Sequence, residues 1–222
     1  MRKIIVGAFV SLDGVMQAPG GPTEDPTKGF KFGGWVTPFF DPEFGEEVEA
    51  MFADRPDLLL GRKTYEIFAA HWPYAEGGPN DPIAKLFKEI TKYVVSRSGE
   101  VDTSWQGSVL LRDIEAVKRL RQADGAPLIT QGSTELAHAL FAADLVDEIK
   151  TFTVPVVLGA GKKLFADGSA PQSYKLMKSR TSSTGLVIAR YQRAGAIAVG
   201  DTALSQTSKA EEARQARIER EG

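Results

Sequence analysis

The segment Leu58-Leu-Leu-Gly-Arg-Lys-Thr-Tyr65 constrains the fold more than any other. Three leucines in a row predict a buried strand. Gly61 permits a close backbone approach, and Arg62, Lys63 and Thr64 open a helical pattern. A strand that ends in glycine, two cations and a hydroxyl at a helix start is a place to hold phosphate. The first-turn N–H groups have no intrahelical partner, and the side chains add charge-assisted bonds. An ordinary strand-turn-helix with surface cations explains this segment alone equally well.

Strand and helix patterns alternate along the chain, which predicts an α/β fold. Ile4 to Val10 is a buried first strand. Asp41-Pro42 is an N-cap followed by proline at the first helical position, with Phe44, Val48, Met51 and Phe52 on one face. Helices are also expected from Arg62 to Ala70, from Asp81-Pro82, after Asp113 and after Gln131-Gly-Ser-Thr134. Strands are expected at 58–60, 93–96, 109–111 and 128–130. After Asp144 the character changes: residues 146–158 alternate and are rich in β-branched types, and 174–181 with 185–192 form an antiparallel pair. Residues 11–40 show no period but carry Phe30, Phe32, Trp35, Phe39 and Phe40, so this long loop is expected to pack on something apolar. From about Ala194 the apolar residues thin out, which divides the chain into a domain at 1–193 and a polar, charged tail at 194–222.

Of 222 residues, 42% are hydrophobic and 25% charged, the balance of a globular protein with a sizeable core. A net charge of −2 offers no nucleic-acid footprint. With no cysteine, thiolate chemistry and Cys-ligated metals are excluded, and His71 and His138 lack zinc-type spacing, so no metal is expected. No apolar run approaches a membrane span, and Met1 to Val10 is too short for a secretory signal, so a cytoplasmic location is expected.

Three predicted strand ends carry matching chemistry: Gly61-Arg-Lys-Thr64, Ser96-Arg97-Ser98 and Gly132-Ser-Thr134. Ligands of open α/β sheets bind outside the carboxyl ends of the strands. Cations and hydroxyls at two ends suit a ribose phosphate, and a Gly-Ser turn opening a helix suits a pyrophosphate, so an NADPH-like dinucleotide is the implied ligand. No GxGxxG follows the first strand, so the dinucleotide fold is not of the usual Rossmann kind.

The order of Ser11-Leu-Asp-Gly14, Leu60-Gly-Arg-Lys-Thr-Tyr65, Val94-Val-Ser-Arg97 and Gln131-Gly-Ser-Thr-Glu-Leu136 resembles the dihydrofolate reductase-like superfamily. So does Ala143-Asp-Leu-Val-Asp-Glu-Ile149 followed by Pro155-Val-Val-Leu-Gly-Ala-Gly-Lys-Lys-Leu-Phe165. Within the superfamily, the chain is similar over residues 2–193 to the C-terminal reductase domain of bacterial riboflavin biosynthesis. The resemblance implies a three-layer fold: a mostly parallel central sheet with an antiparallel C-terminal part and helices on both faces. It implies a reductase using NADPH, closest to 5-amino-6-(5-phosphoribosylamino)uracil reductase, and a homodimer. Carried over by position, Gly61, Arg62, Lys63 and Thr64 meet cofactor phosphates, and Ser96 and Arg97 lie near the adenosine ribose and its 2′-phosphate. Gly132, Ser133 and Thr134 hold the pyrophosphate; Ser11, Asp13 and Gly14 lie near nicotinamide and substrate. Three departures stand out. Gln131-Gly-Ser133 replaces a frequent Glu-Gly-Gly, Gly45 falls where folate reductases place a helix acid, and the loop from Gln17 to Phe40 is long and aromatic.

A reductase must stack a small-molecule substrate on the nicotinamide, exclude water and supply a proton. Trp35 and Phe39 are candidates to cover a flat ring, or they pack the loop. Thr153 is a candidate substrate contact, or an ordinary strand residue. Asp13 is the candidate catalytic group, or a turn residue of Asp-Gly. Glu46 and Glu47 are expected to be solvated. Two other functions fit the residues: dihydrofolate reduction, and nucleotide binding without turnover.

Overall fold

The computed structural model describes residues 1–78, 81–202 and 206–221. Eight strands form one sheet: β1 (Ile4–Ser11), β2 (Asp57–Gly61), β3 (Lys92–Val95), β4 (Ser108–Leu111), β5 (Leu128–Gln131), β6 (Glu148–Val154), β7 (Ser173–Thr181) and β8 (Val187–Gly195). Their order is β4-β3-β2-β5-β1-β6-β8-β7. The pairings from β4 through β6 are parallel; β8 and β7 add on antiparallel. Six α-helices accompany the strands among the described residues: α1 (Pro42–Phe52), α2 (Arg62–His71), α3 (Asp81–Glu89), α4 (Ile114–Gln122), α5 (Thr134–Ala142) and α6 (Lys209–Glu221).

The period of two in β1 builds two cores. Ile4, Val6, Ala8 and Val10 face Leu136, Leu140 and Phe141 of α5 and Val117 of α4. On the other face, Leu58, Leu60, Ile129, Phe152 and Val154 meet Phe44, Met51 and Phe52 of α1, Tyr65 of α2 and Phe87 of α3. The three leucines of β2 are fully buried, because this strand is covered by helices on both sides. The Asp41 carboxylate accepts a bond from Phe44 N (2.8 Å) and that of Asp113 one from Ala116 N (2.7 Å), so these two expected N-caps start their helices, whereas Asp81, expected to cap likewise, is itself the first residue of α3.

The structure corrects the sequence reading in several places. The run at 146–158 yields a shorter strand, β6. The last strand, β8, extends to Gly195, past the expected boundary at 193. The aromatic loop packs in part: Trp35 and Val36 are buried among the α1-side core residues, while Phe32 and Phe40 stay exposed. Glu47 is not solvated but 5% exposed. Its carboxylate meets Lys178 at 2.6 Å and Lys150 at 3.3 Å, and Glu46 pairs with Arg180 at 2.7 Å. Phe152 and Val154 of β6 lie beneath α1 and are 1% and 0% exposed, so they offer no surface to a partner subunit. No helix among the described residues is long and apolar enough to cross a membrane.

Candidate functional site

Because the six strands from β4 to β6 run parallel, their carboxyl ends share one edge. In spatial order it presents Arg112, Ser96-Arg97-Ser98, Gly61-Arg-Lys-Thr64, Gln131-Gly-Ser-Thr134, Ser11 to Gly14 and Val154-Pro155. The three sequence-predicted phosphate turns are therefore neighbours although more than 30 residues separate each from the next in sequence.

The turns after β2 and β5 are tied together. Ser133 Oγ accepts a hydrogen bond from Gly61 N at 2.9 Å. A β-carbon at Gly132 would stand 3.5 Å from the methyl of Thr64, so the second turn lies against the first helix. Gly132 (φ +73°) and Ser133 (φ +57°) both adopt left-handed backbone, which sharpens the entry into α5. Since its hydroxyl serves Gly61, Ser133 gives no side-chain cap to α5, and Gly61 cannot cap α2. Two helices on opposite faces of the sheet, following adjacent strands, thus begin at this edge with first-turn N–H groups uncapped by a side chain. By contrast, α1 and α4 are closed by aspartates. Uncapped donors and the positive helix ends favour an anion here. Lys63 is exposed at the same turn. Arg62 folds back onto Glu66 at 2.8 Å, so its charge is partly spent.

At the outer end of the edge, Ser96 is buried, and its hydroxyl accepts from Gly99 N at 3.3 Å. Arg97 is exposed. Sequence reasoning missed Arg112, whose Nη1 donates to Ser98 O at 3.3 Å. Its signal was faint: one arginine at the end of a four-residue strand, meaningful only once β4 is known to lie beside β3.

At the inner end, Asp13 is an anchored acceptor. Its Oδ1 takes bonds from Ser11 Oγ (2.6 Å) and Leu158 N (3.1 Å), and its Oδ2 takes one from Gly159 N (2.8 Å). The Ser11 hydroxyl, then the backbone donors, hold its pKa down at about 2. Such a group is ionised at neutral pH and has no proton to deliver. Ser11 Oγ is engaged further by Val15 N at 2.9 Å, and Gly14 (φ +82°) completes the turn. Thr153, penultimate in β6, is half-buried across from Val10 and Val187. Trp35 does not display its ring: it is 8% exposed, with Nε1 bonded to Gln17 O at 2.8 Å. Phe39 is half-buried against the same core. Glu43, in the first turn of α1, keeps one carboxylate oxygen buried and without a partner among the described residues. A separate cleft lined by Lys3, Asp147, Glu148, Gln192 and Arg193 opens where β1 and β6 begin, away from all these groups.

Comparison with known proteins places this edge in context. The RibD C-terminal domain profile matches residues 2–188. The chain is 28% identical over 194 residues to the uncharacterized protein YyaP of Bacillus subtilis strain 168, covering 84% of this chain and 92% of the relative. A solved structure from Shewanella sp. PV-4, ascribed to riboflavin biosynthesis, is similar in fold with a TM-score of 0.56 at 20% identity, covering 86% of this chain and 99% of that one. The diaminohydroxyphosphoribosylaminopyrimidine deaminase/5-amino-6-(5-phosphoribosylamino)uracil reductase of Thermotoga maritima matches with a TM-score of 0.55 at 13% identity, over 87% of this chain and 57% of that one.

Proposed function

The chain belongs to the RibD C-terminal domain family, and from that premise we propose that it is an NADPH-dependent reductase of a pyrimidine- or pterin-like ring, closest in chemistry to 5-amino-6-(5-phosphoribosylamino)uracil reductase. The observation that carries the reading is the pair of uncapped helix starts, α2 and α5, joined by the Ser133–Gly61 bond on adjacent strands. Donors left open side by side fit a pyrophosphate, and the residues present fit the cofactor.

In this reading the first-turn N–H groups of α2 and α5, with Lys63 and Thr64, hold the pyrophosphate. Ser96 and Arg97 take the adenosine end. That order leads the nicotinamide towards Ser11, Gly14 and Thr153. The cofactor supplies a hydride; the chain supplies placement and exclusion of water. Asp13 acts as a positioning residue. By holding Leu158 and Gly159 it fixes the wall of the substrate end, and the proton comes from another group or from water.

Dihydrofolate is the second candidate substrate, favoured by the unpartnered Glu43 oxygen at the edge-proximal end of α1. Glu46 and Glu47 are spent in ion pairs and do not serve. NADPH oxidation followed with a 5-amino-6-(ribosylamino)uracil phosphate and with dihydrofolate separates the two. Turnover of the pyrimidine, insensitive to Glu43→Gln, supports the main reading. Turnover of dihydrofolate that Glu43→Gln abolishes supports the second. NADPH binding without turnover of either leaves a nucleotide-binding module, and no binding at all sinks the proposal.

A further inference from the structure

The long loop between β1 and α1 has the position of a lid and the construction of a wall. It leaves the carboxyl edge after Ser11 and returns to it where α1 begins at Pro42. It therefore borders the end of the sheet where Ser11, Gly14 and Thr153 lie. A mobile lid makes few internal bonds and leaves its backbone to water. This loop does the reverse. Gly34 N donates to Ala18 O at 2.9 Å and Val36 N to Pro19 O at 3.2 Å, which closes the loop on itself. Val15, Met16, Ala18, Trp35 and Val36 are all buried.

At the centre of the closure lies Gln17, 3% exposed. Its Nε2 donates to Asp25 O at 2.9 Å and to Thr27 O at 3.0 Å, and its Oε1 accepts from Lys162 N at 3.0 Å. One side-chain amide thus fills both donors and its acceptor, and it does so on two segments. The donors hold the loop; the acceptor holds the turn after β6. Backbone bonds join the same turn to the start of the loop. Met16 N donates to Lys162 O at 2.8 Å and Leu164 N to Gly14 O at 2.9 Å. His138 of α5 holds the turn as well, with Nε2 donating to Lys163 O at 2.9 Å. Lys162 Nζ pairs with Asp25, and Phe30 lies over Gly161, where a β-carbon would fall 3.0 Å from its ring. Opening the loop would strip a buried amide of all three partners at once, so loop and turn move together or not at all.

Resting on the reductase reading, we infer that Gln17 is a positioning residue that latches residues 17–36 to residues 158–164 as a standing wall of the substrate end. The wall is built before any ligand arrives, so binding carries no cost of loop closure. The latch acts on binding and not on the chemical step, because an ordered wall favours bound substrate and transition state alike.

The test combines hydrogen exchange with kinetics on the wild type and Gln17→Glu. The glutamate keeps an acceptor for Lys162 N and sets a carboxylate against Asp25 O and Thr27 O. In the free wild type, residues 17–36 and 158–164 should be protected, with no further gain on saturation with NADPH. Gln17→Glu should raise exchange in both segments together while β1 to β6 keep wild-type protection. A wall ordered only about a tenth of the time raises KM for a 5-amino-6-(ribosylamino)uracil phosphate about tenfold. The kcat and the NADPH affinity should stay within about twofold of wild type. A free wild type whose loop exchanges freely and gains protection only with NADPH has a mobile lid, which overturns the inference. That readout stands even if Gln17→Glu does not fold. Exchange that rises in one segment alone also overturns it, since the two would not be latched through Gln17. A fall in kcat at unchanged KM overturns the binding role. Both segments protected in the free wild type and loosened together by Gln17→Glu, without NADPH turnover on any acceptor, support the latch and remove the reductase.

Discussion

Asp13 and Lys92 show how a single ionisable group is set by what surrounds it. Asp13 Oδ2 accepts from Gly159 N, and Oδ1 from Leu158 N and the Ser11 hydroxyl. Asp13→Asn puts an NH2 where one of these acceptors was, so a donor faces a donor. The expected cost is about 1–3 kcal/mol of stability, read by denaturant unfolding, with kcat reduced and NADPH affinity little changed. A variant as stable and as active as wild type would remove Asp13 from both roles. Its depressed pKa also fixes the direction of acid sensitivity. The contribution is fully present above the ordinary value of 3.8 and is lost as the pH falls through about 2. Lys92 is the opposite case. Its side chain is fully buried, Nζ donates to Phe87 O and Ile90 O, and it lies over the Trp105 ring. Burial pushes its pKa down to about 8. Between there and the ordinary value of roughly 10.4 the unfolded chain binds the extra proton, so stability rises with pH across that window. Lys92→Met should flatten that rise, and a slope identical to wild type from pH 8 to 10 would refute the assignment.

Among the elements, the C-terminal ones divide sharply. Strand β8 is integral: Gly195 pairs with Ser173, and Arg193 N donates to Asp147 O at 3.0 Å. Helix α6 buries no residue. Truncation after Gly195 should therefore leave the melting temperature within a few degrees, whereas ending the chain at Leu186, which deletes β8, should unfold the domain. A large drop on removing the tail alone would mean that it docks elsewhere. The sequence announced the parallel strands because each is a short apolar run between turn residues, and α1 and α4 because aspartates cap them. It hid what depends on distant partners. Glu47 looked solvated because Lys150, which compensates its burial, lies more than a hundred residues on and on a strand whose neighbours were not yet known. Trp35 sits in a loop without period, where no pattern tells an inward ring from an outward one. The phosphate turns were legible as chemistry, but that Ser133 serves Gly61 rather than its own helix is a fact of tertiary contact.

For the whole molecule, the free side of β7 is the feature that asks for a partner. It is an edge strand of nine residues, and Leu176, Met177 and, beside it on β8, Val187 are 51%, 50% and 45% exposed. Long unpaired edges invite pairing, and a second copy of this chain, meeting it about a two-fold axis, is the expected occupant. Sedimentation at micromolar concentration should give a dimer that Leu176→Lys weakens; a monomeric wild type would end the idea. The strand order has a temporal consequence as well. β1 leaves the ribosome first, yet its two neighbours, β5 and β6, begin at residues 128 and 148. At roughly 5–20 residues per second, this apolar strand waits about 6–25 s with both edges bare. β2, β3 and β4 can pair much earlier, so hydrogen-exchange pulse labelling during refolding should find them protected before β1. The centre of the finished sheet closes only after the edge formed by β2, β3 and β4.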